Sequence, residues 1–149
     1  MSTTLLFARE SERVTLPTPR PRVAAEAMAG PWLKTSEKPQ WIGSLDVSVD
    51  GDDLIVRVFG GGAGPTPADW GSLRSDVVYA SSLHSGDALA GAFVARFDFS
   101  SMTVELQANL NLGLLVVATF VTFRESGPHA DRFTREFFRR GTEGEELSA

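Results

Sequence analysis

The sequence predicts an all-β protein: an eight-stranded antiparallel β-barrel with one short helix before its first strand. Between residues 45 and 140, apolar and polar side chains alternate with a period of two, as they do in half-buried strands. Clusters of Gly, Asn, Asp and Ser separate these runs, and only residues 23–29 have a helical composition. Eight successive strands of this length are enough to close a small barrel, and a sandwich is the alternative.

The composition is that of one globular domain. The chain has 149 residues, of which 42% are hydrophobic and 22% charged, and this suits a single core of ordinary size. Its net charge of −5 argues against nucleic acid or an anionic membrane as a partner, because these attract basic faces. It has no cysteine, so disulfides and thiolate metal sites are excluded. Its early apolar run, residues 5–8, is too short for a signal peptide or a membrane span, so we expect a cytoplasmic protein.

The chain divides into an arm, a barrel domain and a tail. Residues 1–22 contain three prolines at alternate positions, a spacing that favours an extended arm. Residues 23–140 form the single barrel domain, and residues 141–149 form a flexible acidic tail. Within the domain, the alanine-rich residues 23–29 predict one or two helical turns, which the breakers Gly30-Pro31 end.

Each predicted strand is bounded by turn residues. The strands are, in order, 32–35, 41–49, 53–59, 73–81, 88–99, 102–110, 114–123 and 132–140. Asp50-Gly51-Asp52 joins the second strand to the third in the clearest hairpin of the chain. A glycine-rich loop, residues 60–65, and one helical turn at residues 67–70 precede the fourth strand. Ser100-Ser101 and Asn111-Leu112-Gly113 join the fifth strand to the sixth and the sixth to the seventh.

The sixth and seventh predicted strands differ in how many faces they bury. The sixth has one apolar face, made of Met102, Val104, Leu106, Ala108 and Leu110. The seventh is apolar on both faces, so its outer side needs a cover. The candidates are the helix at residues 23–29, the N-terminal arm and a second subunit. We favour the chain's own N-terminal segment and leave a homodimer open as the alternative.

The last predicted strand mixes aromatic and charged residues on each face. Either Arg135 or Glu136 can therefore point into the interior. A charge enclosed in an apolar barrel must be paired or used, because an isolated buried charge is costly.

A small-molecule pocket inside the barrel depends on side-chain sizes. Small residues such as Gly91, Ala95 and Ala108 alternate with bulky ones, which either leaves a void or lets neighbours fill the core. The predicted ligand-binding residues are Phe93, Phe97, Leu106, Thr119 and Trp70. The predicted catalytic residues are Tyr79, Arg135 and Glu136, the few polar groups of a mainly apolar site.

Motifs for cofactors and metals are absent from the sequence. His84 and His129 lie in predicted turns, lack a metal-ligand spacing, and are expected to be solvated. The glycines of residues 60–62 precede no long helix, which a phosphate-binding loop requires. We therefore expect no cofactor and no metal.

Two sequence features resemble known β-barrel proteins. Gly30-Pro31-Trp32, after a short helix and at the first strand, resembles the Gly-x-Trp of the calycin and lipocalin barrels. In those barrels a basic side chain from the last strand packs on the Trp, and here the resemblance implies Arg135, Arg139 or Arg140. The loop that ends in Asp69-Trp70-Gly71 resembles a group of small, uncharacterised bacterial barrels with a Pro-rich Asp-Trp-Gly loop. The glycines of this loop would suit a mobile lid. We favour a structural explanation of the Asp-Trp-Gly sequence, in which Asp69 caps a turn, Trp70 plugs the barrel end and Gly71 permits the entry into the strand.

These features define three functional hypotheses. The first is a cofactor-independent cyclase or isomerase that folds a small apolar substrate in the barrel lumen by preorganisation. It is supported by a resemblance in size and compartment to small barrels of bacterial specialised metabolism. The second is a non-catalytic carrier of a hydrophobic ligand. The third is an interaction module with a solid core.

Overall fold

A computed structural model describes residues 24–81, 89–125 and 127–142 of the chain. This part contains a short 3₁₀ helix, Glu26–Met28, and nine strands. The strands are β1 Gly30–Lys34, β2 Ile42–Asp50, β3 Asp53–Gly60, β4 Asp69–Arg74, β5 Val77–Ala80, β6 Ala90–Asp98, β7 Met102–Asn111, β8 Leu114–Phe123 and β9 Arg132–Arg140.

The nine strands form one curled antiparallel sheet, a half-barrel, in the order β4-β3-β2-β1-β9-β8-β7-β6-β5. Strands β1 and β9 pair in its middle, so the beginning and end of the described strand run lie side by side. The edge strands β4 and β5 are consecutive in the chain. In the link between them, Ser75 N donates to Leu54 O of β3 and Asp76 N donates to Val94 O of β6, both at 2.8 Å. The link is thus hydrogen-bonded to a strand near each edge of the curled sheet, β3 near one edge and β6 near the other.

The predicted count of eight strands is wrong, because the predicted fourth strand is two strands. The two-residue link divides it, since the amides of Ser75 and Asp76 bond to different neighbours. The first of the two pieces also begins earlier than predicted: Asp69 pairs with Phe59 of β3, so residues 69 and 70 belong to a strand instead of the predicted helical turn. The other predicted strands agree with β1–β3 and β6–β9, with shifts of a few residues at their ends.

The predicted helix at residues 23–29 is reduced to the 3₁₀ helix. So short a segment pays the cost of helix nucleation for few hydrogen bonds, and Ala24 instead forms a bridge with Leu89. Met28 is buried, and the segment packs against β6 and β2. Of the three covers that we considered for the outer side of β8, this helix is therefore not the one. The arm and the tail lie outside the described residues, apart from residues 141 and 142.

Turn chemistry sets the hairpin between β7 and β8. Leu112 and Gly113 both have positive φ, 51° and 80°, as the turns that suit the right-handed twist of a hairpin require. Leu112 is almost fully exposed. Its side chain is therefore free of packing, and the register of the two strands follows from the turn.

Alternate residues of the strands face the inside of the curl and form the core. The inward face predicted for the sixth strand is confirmed on β7, where the side chains of Met102, Val104, Leu106 and Ala108 are buried. They pack with buried residues of the other strands, among them Leu45, Val56, Val58, Phe93, Val117 and Phe138. In the described part of the chain, no helix has the length and apolar character of a membrane span.

The 3₁₀ helix, β1 and the end of β9 meet at Trp32, which is fully buried. Its Nε1 donates to Met28 O at 3.0 Å. The Arg140 guanidinium lies over the indole ring, 4.4 Å from its centroid, and donates to Ala29 O at 2.7 Å and to Ala27 O. Of the three arginines offered by the Gly-x-Trp resemblance, Arg140 takes the place on the tryptophan, where a cation–π contact and hydrogen bonds reinforce each other.

Candidate functional site

A groove of about 660 Å³ lies on the outer face of strands β5 to β9. We call it the outer groove. Its outward-facing lining consists of Tyr79, Ala92, Val94, Gln107, Asn109, Asn111, Val116, Ala118, Arg135 and Phe137. These side chains alternate along the strands with buried ones, so pairing register alone places them on one face.

The register arranges the groove in two rows that cross the strands. The first row is Tyr79, Ala92, Asn109, Val116 and Phe137. The second is Val77, Val94, Gln107, Ala118 and Arg135. The large side chains of Tyr79 and Phe137 lie at the two ends of the first row and are 51% and 43% exposed. The side chains of Ala92 in the first row and Ala118 in the second are small and leave space, and this produces the groove.

Arg135 supplies the positive charge of the groove. Its side chain is exposed, and it makes no hydrogen bond, ion pair or ring contact with another described residue. No described carboxylate lines the groove. Its other polar groups are the amides of Gln107, Asn109 and Asn111 and the phenol of Tyr79. The lining thus combines an apolar floor with neutral polar groups and one free guanidinium.

Two of the three predicted catalytic residues line the same groove, at its opposite ends, and not the inside of the barrel. Tyr79 and Arg135, which we expected among the polar groups of an interior pocket, both line the outer groove. The reason is register: Arg135 pairs with Ala118, whose neighbours Val117 and Thr119 are the inward residues of β8. The outer position leaves the guanidinium in water, where its charge costs little.

The third predicted catalytic residue, Glu136, faces the interior. It pairs with Val117 and is 7% exposed. Its Oε2 accepts from Gln40 Nε2 at 2.7 Å and from Ile42 N at 3.4 Å, and its Oε1 accepts from the Thr134 hydroxyl at 3.3 Å. Burial raises the pKa of the Glu136 carboxyl, and these hydrogen bonds oppose the rise. The carboxyl is therefore held by neutral donors and fixes the segment before β2 against β9.

The five predicted ligand-binding residues also face the interior, where they are buried, and Phe93 borders the outer groove as well. The side chains of Phe93, Phe97, Leu106, Thr119 and Trp70 are all buried. The Trp70 ring packs edge-on against Phe97, with 5.4 Å between ring centroids, and against Phe99 at 5.7 Å. Small residues beside aromatics were compatible with a void or a filled core, and at Trp70 the rings of Phe97 and Phe99 pack directly against the indole. The ligand-binding role of these residues stays a prediction.

Some buried polar atoms in the described part of the chain lack a hydrogen-bond partner, two of them, on Thr119 and Trp70, in this interior. Among the described residues, the Thr119 hydroxyl, the Thr66 hydroxyl and Trp70 Nε1 have no hydrogen-bond partner. Thr119 lies across from Thr134, whose hydroxyl donates to Glu136. A buried polar group without a partner is uncommon and calls for an explanation such as a bound water or ligand.

The Asp-Trp-Gly sequence forms a bulge that turns the tryptophan inward. Asp69 pairs with Phe59 and Gly71 with Val58, so Trp70 is an extra residue on β4. Gly71 has a φ of +84°, a conformation that strains other residues. Asp69 accepts from Gly71 N at 2.9 Å and from Arg57 Nη2 at 2.7 Å, and the Arg57 donor lowers the pKa of this carboxyl.

The glycine-rich loop before this bulge is tied to its neighbours. Gly61 N donates to Trp41 O at 3.0 Å, and Ala63 N donates to Gln40 O at 3.1 Å. A Cβ on Gly64 would lie 2.8 Å from the Trp41 ring. The glycine at this position therefore permits close packing against Trp41, which argues against the mobile-lid interpretation of the loop.

No metal centre is formed within the described ranges, which contain no group of three or more His, Cys, Asp or Glu residues placed to hold an ion. His129 stacks on Phe123, with 5.0 Å between ring centroids. His84 lies outside the described residues.

The fold and groove define the molecule as an all-β half-barrel with an open depression on its outer face. In comparisons with known proteins, no protein-family model, curated protein or solved structure matches the chain. Function must therefore be inferred from the geometry of the groove and of the interior.

Sequence reasoning missed the outer groove as a site, although one signal pointed to that face. The predicted seventh strand, β8, is apolar on both sides, and Val116 and Ala118 of its outer side line the groove. The missing information was the register, which places Tyr79 and Arg135 in the rows of these two residues.

Proposed function

We propose that the protein binds a small molecule in the outer groove. The observation that carries this proposal is the groove itself: about 660 Å³ with an apolar floor and a few polar side chains. Small-molecule sites typically have volumes of roughly 300–1,000 Å³ and a lining of this kind. The contacts of the Trp70 ring with Phe97 and Phe99 occupy part of the interior, and this favours the outer face.

The proposed scaffold is a calycin-like barrel. The packing of Arg140 on Trp32 supports it, as does the link between β4 and β5 that bonds to both β3 and β6. A cytoplasmic location stays a prediction of the sequence.

We favour a binding or carrier protein over an enzyme for this groove. Tyr79 and Arg135 can orient a ligand, but no described carboxylate or histidine lines the groove to exchange a proton with it. General acid–base catalysis needs a group that changes protonation near the working pH. Holding an apolar molecule out of water requires no such group.

A second candidate function is cofactor-independent cyclisation or isomerisation in the interior. The observation that favours it is Glu136, a buried carboxyl with a raised pKa on the same inward face as the unpartnered hydroxyl of Thr119. A raised pKa is the direction in which burial adapts a carboxyl to act as a general acid. A ligand would have to open space among the packed rings around Trp70.

A tryptophan placed in the groove tests the first proposal. Ala118→Trp would fill the floor, whereas Thr122→Trp adds the same side chain to the same face of β8 outside the groove. The probe is the uncharged dye N-phenyl-1-naphthylamine, titrated into each protein and followed by its fluorescence. We expect Ala118→Trp to weaken binding by about tenfold or more, which is roughly 1.4 kcal/mol, and Thr122→Trp to bind as the unmodified chain does.

The two candidate functions give different results in this experiment. Equal binding by Ala118→Trp and the unmodified chain would contradict the groove as the site. If Glu136→Gln then changed the dye affinity, the interior would be the site. If Glu136→Gln left it unchanged, the interior proposal would also fail for this probe.

A further inference from the structure

We infer that the ligand of the outer groove is an amphipathic carboxylate, with its charged end on Arg135 and its apolar part along the floor. This inference rests on the proposed binding function and adds the chemical class of the ligand. The outer groove combines open volume, an apolar surface and a free charge.

The first support is the state of Arg135 among the arginines. Most described arginines are committed to protein partners: Arg57 to Asp69, Arg74 to Asp50 and Asp53, Arg96 and Arg124 to Asp98. Arg140 is bound to main-chain carbonyls and to Trp32. Arg135 makes no such contact with a described residue, so its donors remain available to a ligand.

The second support is the local charge. The chain as a whole carries 19 acidic and 14 basic residues, yet the described lining of the groove holds one cation and no carboxylate. The Glu105 carboxylate lies one residue pair beyond the groove, where it accepts from Gln107 Nε2 at 3.1 Å. A net positive site on an acidic protein favours an anion over a cation or a neutral molecule.

The third support is the shape of the floor. The groove runs across the strands from Tyr79 on β5 to Phe137 on β9, four interstrand steps or about 19 Å along the sheet. Ala92 and Val94 form one apolar part of this floor, and Val116 and Ala118 form the other. An elongated apolar chain covers both parts, whereas a compact polar anion would leave them in water.

Guanidinium geometry selects the charged group. The planar fork of an arginine donates two parallel hydrogen bonds to a carboxylate. Because Arg135 is exposed, this attraction is screened by salt. The affinity for an amphipathic carboxylate should therefore fall as ionic strength rises, whereas burial of the chain should contribute at every salt concentration.

The test compares three probes with the same twelve-carbon chain: dodecanoate, dodecanol and dodecyltrimethylammonium, each below its aggregation concentration. Calorimetric titrations use the full chain, Arg135→Gln and the matched control Arg132→Gln. Arg132 is an exposed arginine of the same strand outside the groove lining. We expect dodecanoate to bind about tenfold tighter than dodecanol, which is roughly 1.4 kcal/mol. This preference should disappear in Arg135→Gln and remain in Arg132→Gln.

The outcomes separate this inference from the function on which it rests. Equal affinity for dodecanoate and dodecanol, with both weakened by Ala118→Trp, would overturn the carboxylate preference and keep the groove as a site. Failure of all three probes to bind, together with failure of the dye in the earlier test, would overturn both. Sedimentation that shows a dimer converted to a monomer by Ala118→Trp would assign the groove to a second copy of the chain and overturn the inference.

Discussion

Arg135 and Glu136 are neighbours in the chain and lie on opposite faces of β9. Arg135 pairs with Ala118, is exposed, and has no partner among the described residues. Glu136 pairs with Val117, is buried, and accepts hydrogen bonds from Gln40, Ile42 and Thr134. The difference teaches that one step of strand register decides whether a charge is available to a ligand or holds the fold together.

The same difference extends to the aromatic residues of this strand. Phe137 is 43% exposed at the edge of the outer groove, whereas Phe138 is fully buried. The inner face therefore combines apolar packing with a satisfied carboxyl, and the outer face combines exposed aromatic rings with a free guanidinium. Substitutions of neighbouring residues can test this comparison. Two neighbours in a strand share the same backbone environment, and their side chains point to opposite faces of the sheet.

The largest expected contrast is on β7. Leu106→Ala would leave a cavity in the core, because Leu106 is fully buried. It lies between its pairing partners, Ala95 on β6 and Thr119 on β8. We expect the substitution to lower the free energy of unfolding by about 2–5 kcal/mol. Gln107→Ala changes an outward side chain and should stay within about 0.5 kcal/mol. Urea denaturation followed by fluorescence measures both, and equal losses would contradict the assignment of the two faces.

An intermediate contrast is expected for the charged pair on β9. Glu136→Ala removes the acceptor for Gln40 Nε2 and Ile42 N. Leaving buried donors without a partner costs about 1–3 kcal/mol, so we expect a loss of that size in the free energy of unfolding. Arg135→Ala should change it by no more than about 0.5 kcal/mol. A loss at Arg135 as large as that at Glu136 would show that the guanidinium has a structural partner.

The clean alternation of some strands made their facing predictable. In β7 every apolar residue from Met102 to Ala108 shares one face, and that face is buried. The alternation of apolar and polar residues was also enough to predict most strand positions, because successive side chains of a strand point to opposite faces of the sheet. The all-β fold could therefore be predicted from the sequence.

Features that depend on pairing between distant strands could not be predicted. In β9 both faces mix aromatic and charged residues, so only its register with β8 separates Arg135 from Glu136. The division of the predicted fourth strand depends on two amides, Ser75 N and Asp76 N, that bond to different strands. The outer groove likewise could not be predicted without the register of five strands. Tyr79 and Arg135 are far apart in the chain, and three strands, β6, β7 and β8, lie between them in the groove.

The smallest expected effect is a pH dependence that arises from Glu136 and not from Arg135. Burial raises the folded-state pKa of this carboxyl above the ordinary glutamate value of about 4.3. The folded state then binds the proton more tightly than the unfolded state does. Stability from this group is present below the unfolded-state pKa and is lost as the pH rises through the folded-state pKa.

Glu136→Gln removes this titration while keeping the size of the side chain. We expect the free energy of unfolding of the unmodified chain to fall relative to Glu136→Gln as the pH rises from about 4 towards neutrality, since only the unmodified chain then carries a buried charge. Arg135→Gln, measured in parallel, should follow the unmodified chain, because it keeps the buried Glu136 carboxyl and changes only an exposed side chain. A difference between the unmodified chain and Glu136→Gln that stays constant, or that grows in favour of the unmodified chain, would mean that hydrogen bonds to the carboxylate outweigh its burial. In that case the inner face would hold Glu136 as an anion, and the contrast between the faces of β9 would lie in hydrogen bonding alone.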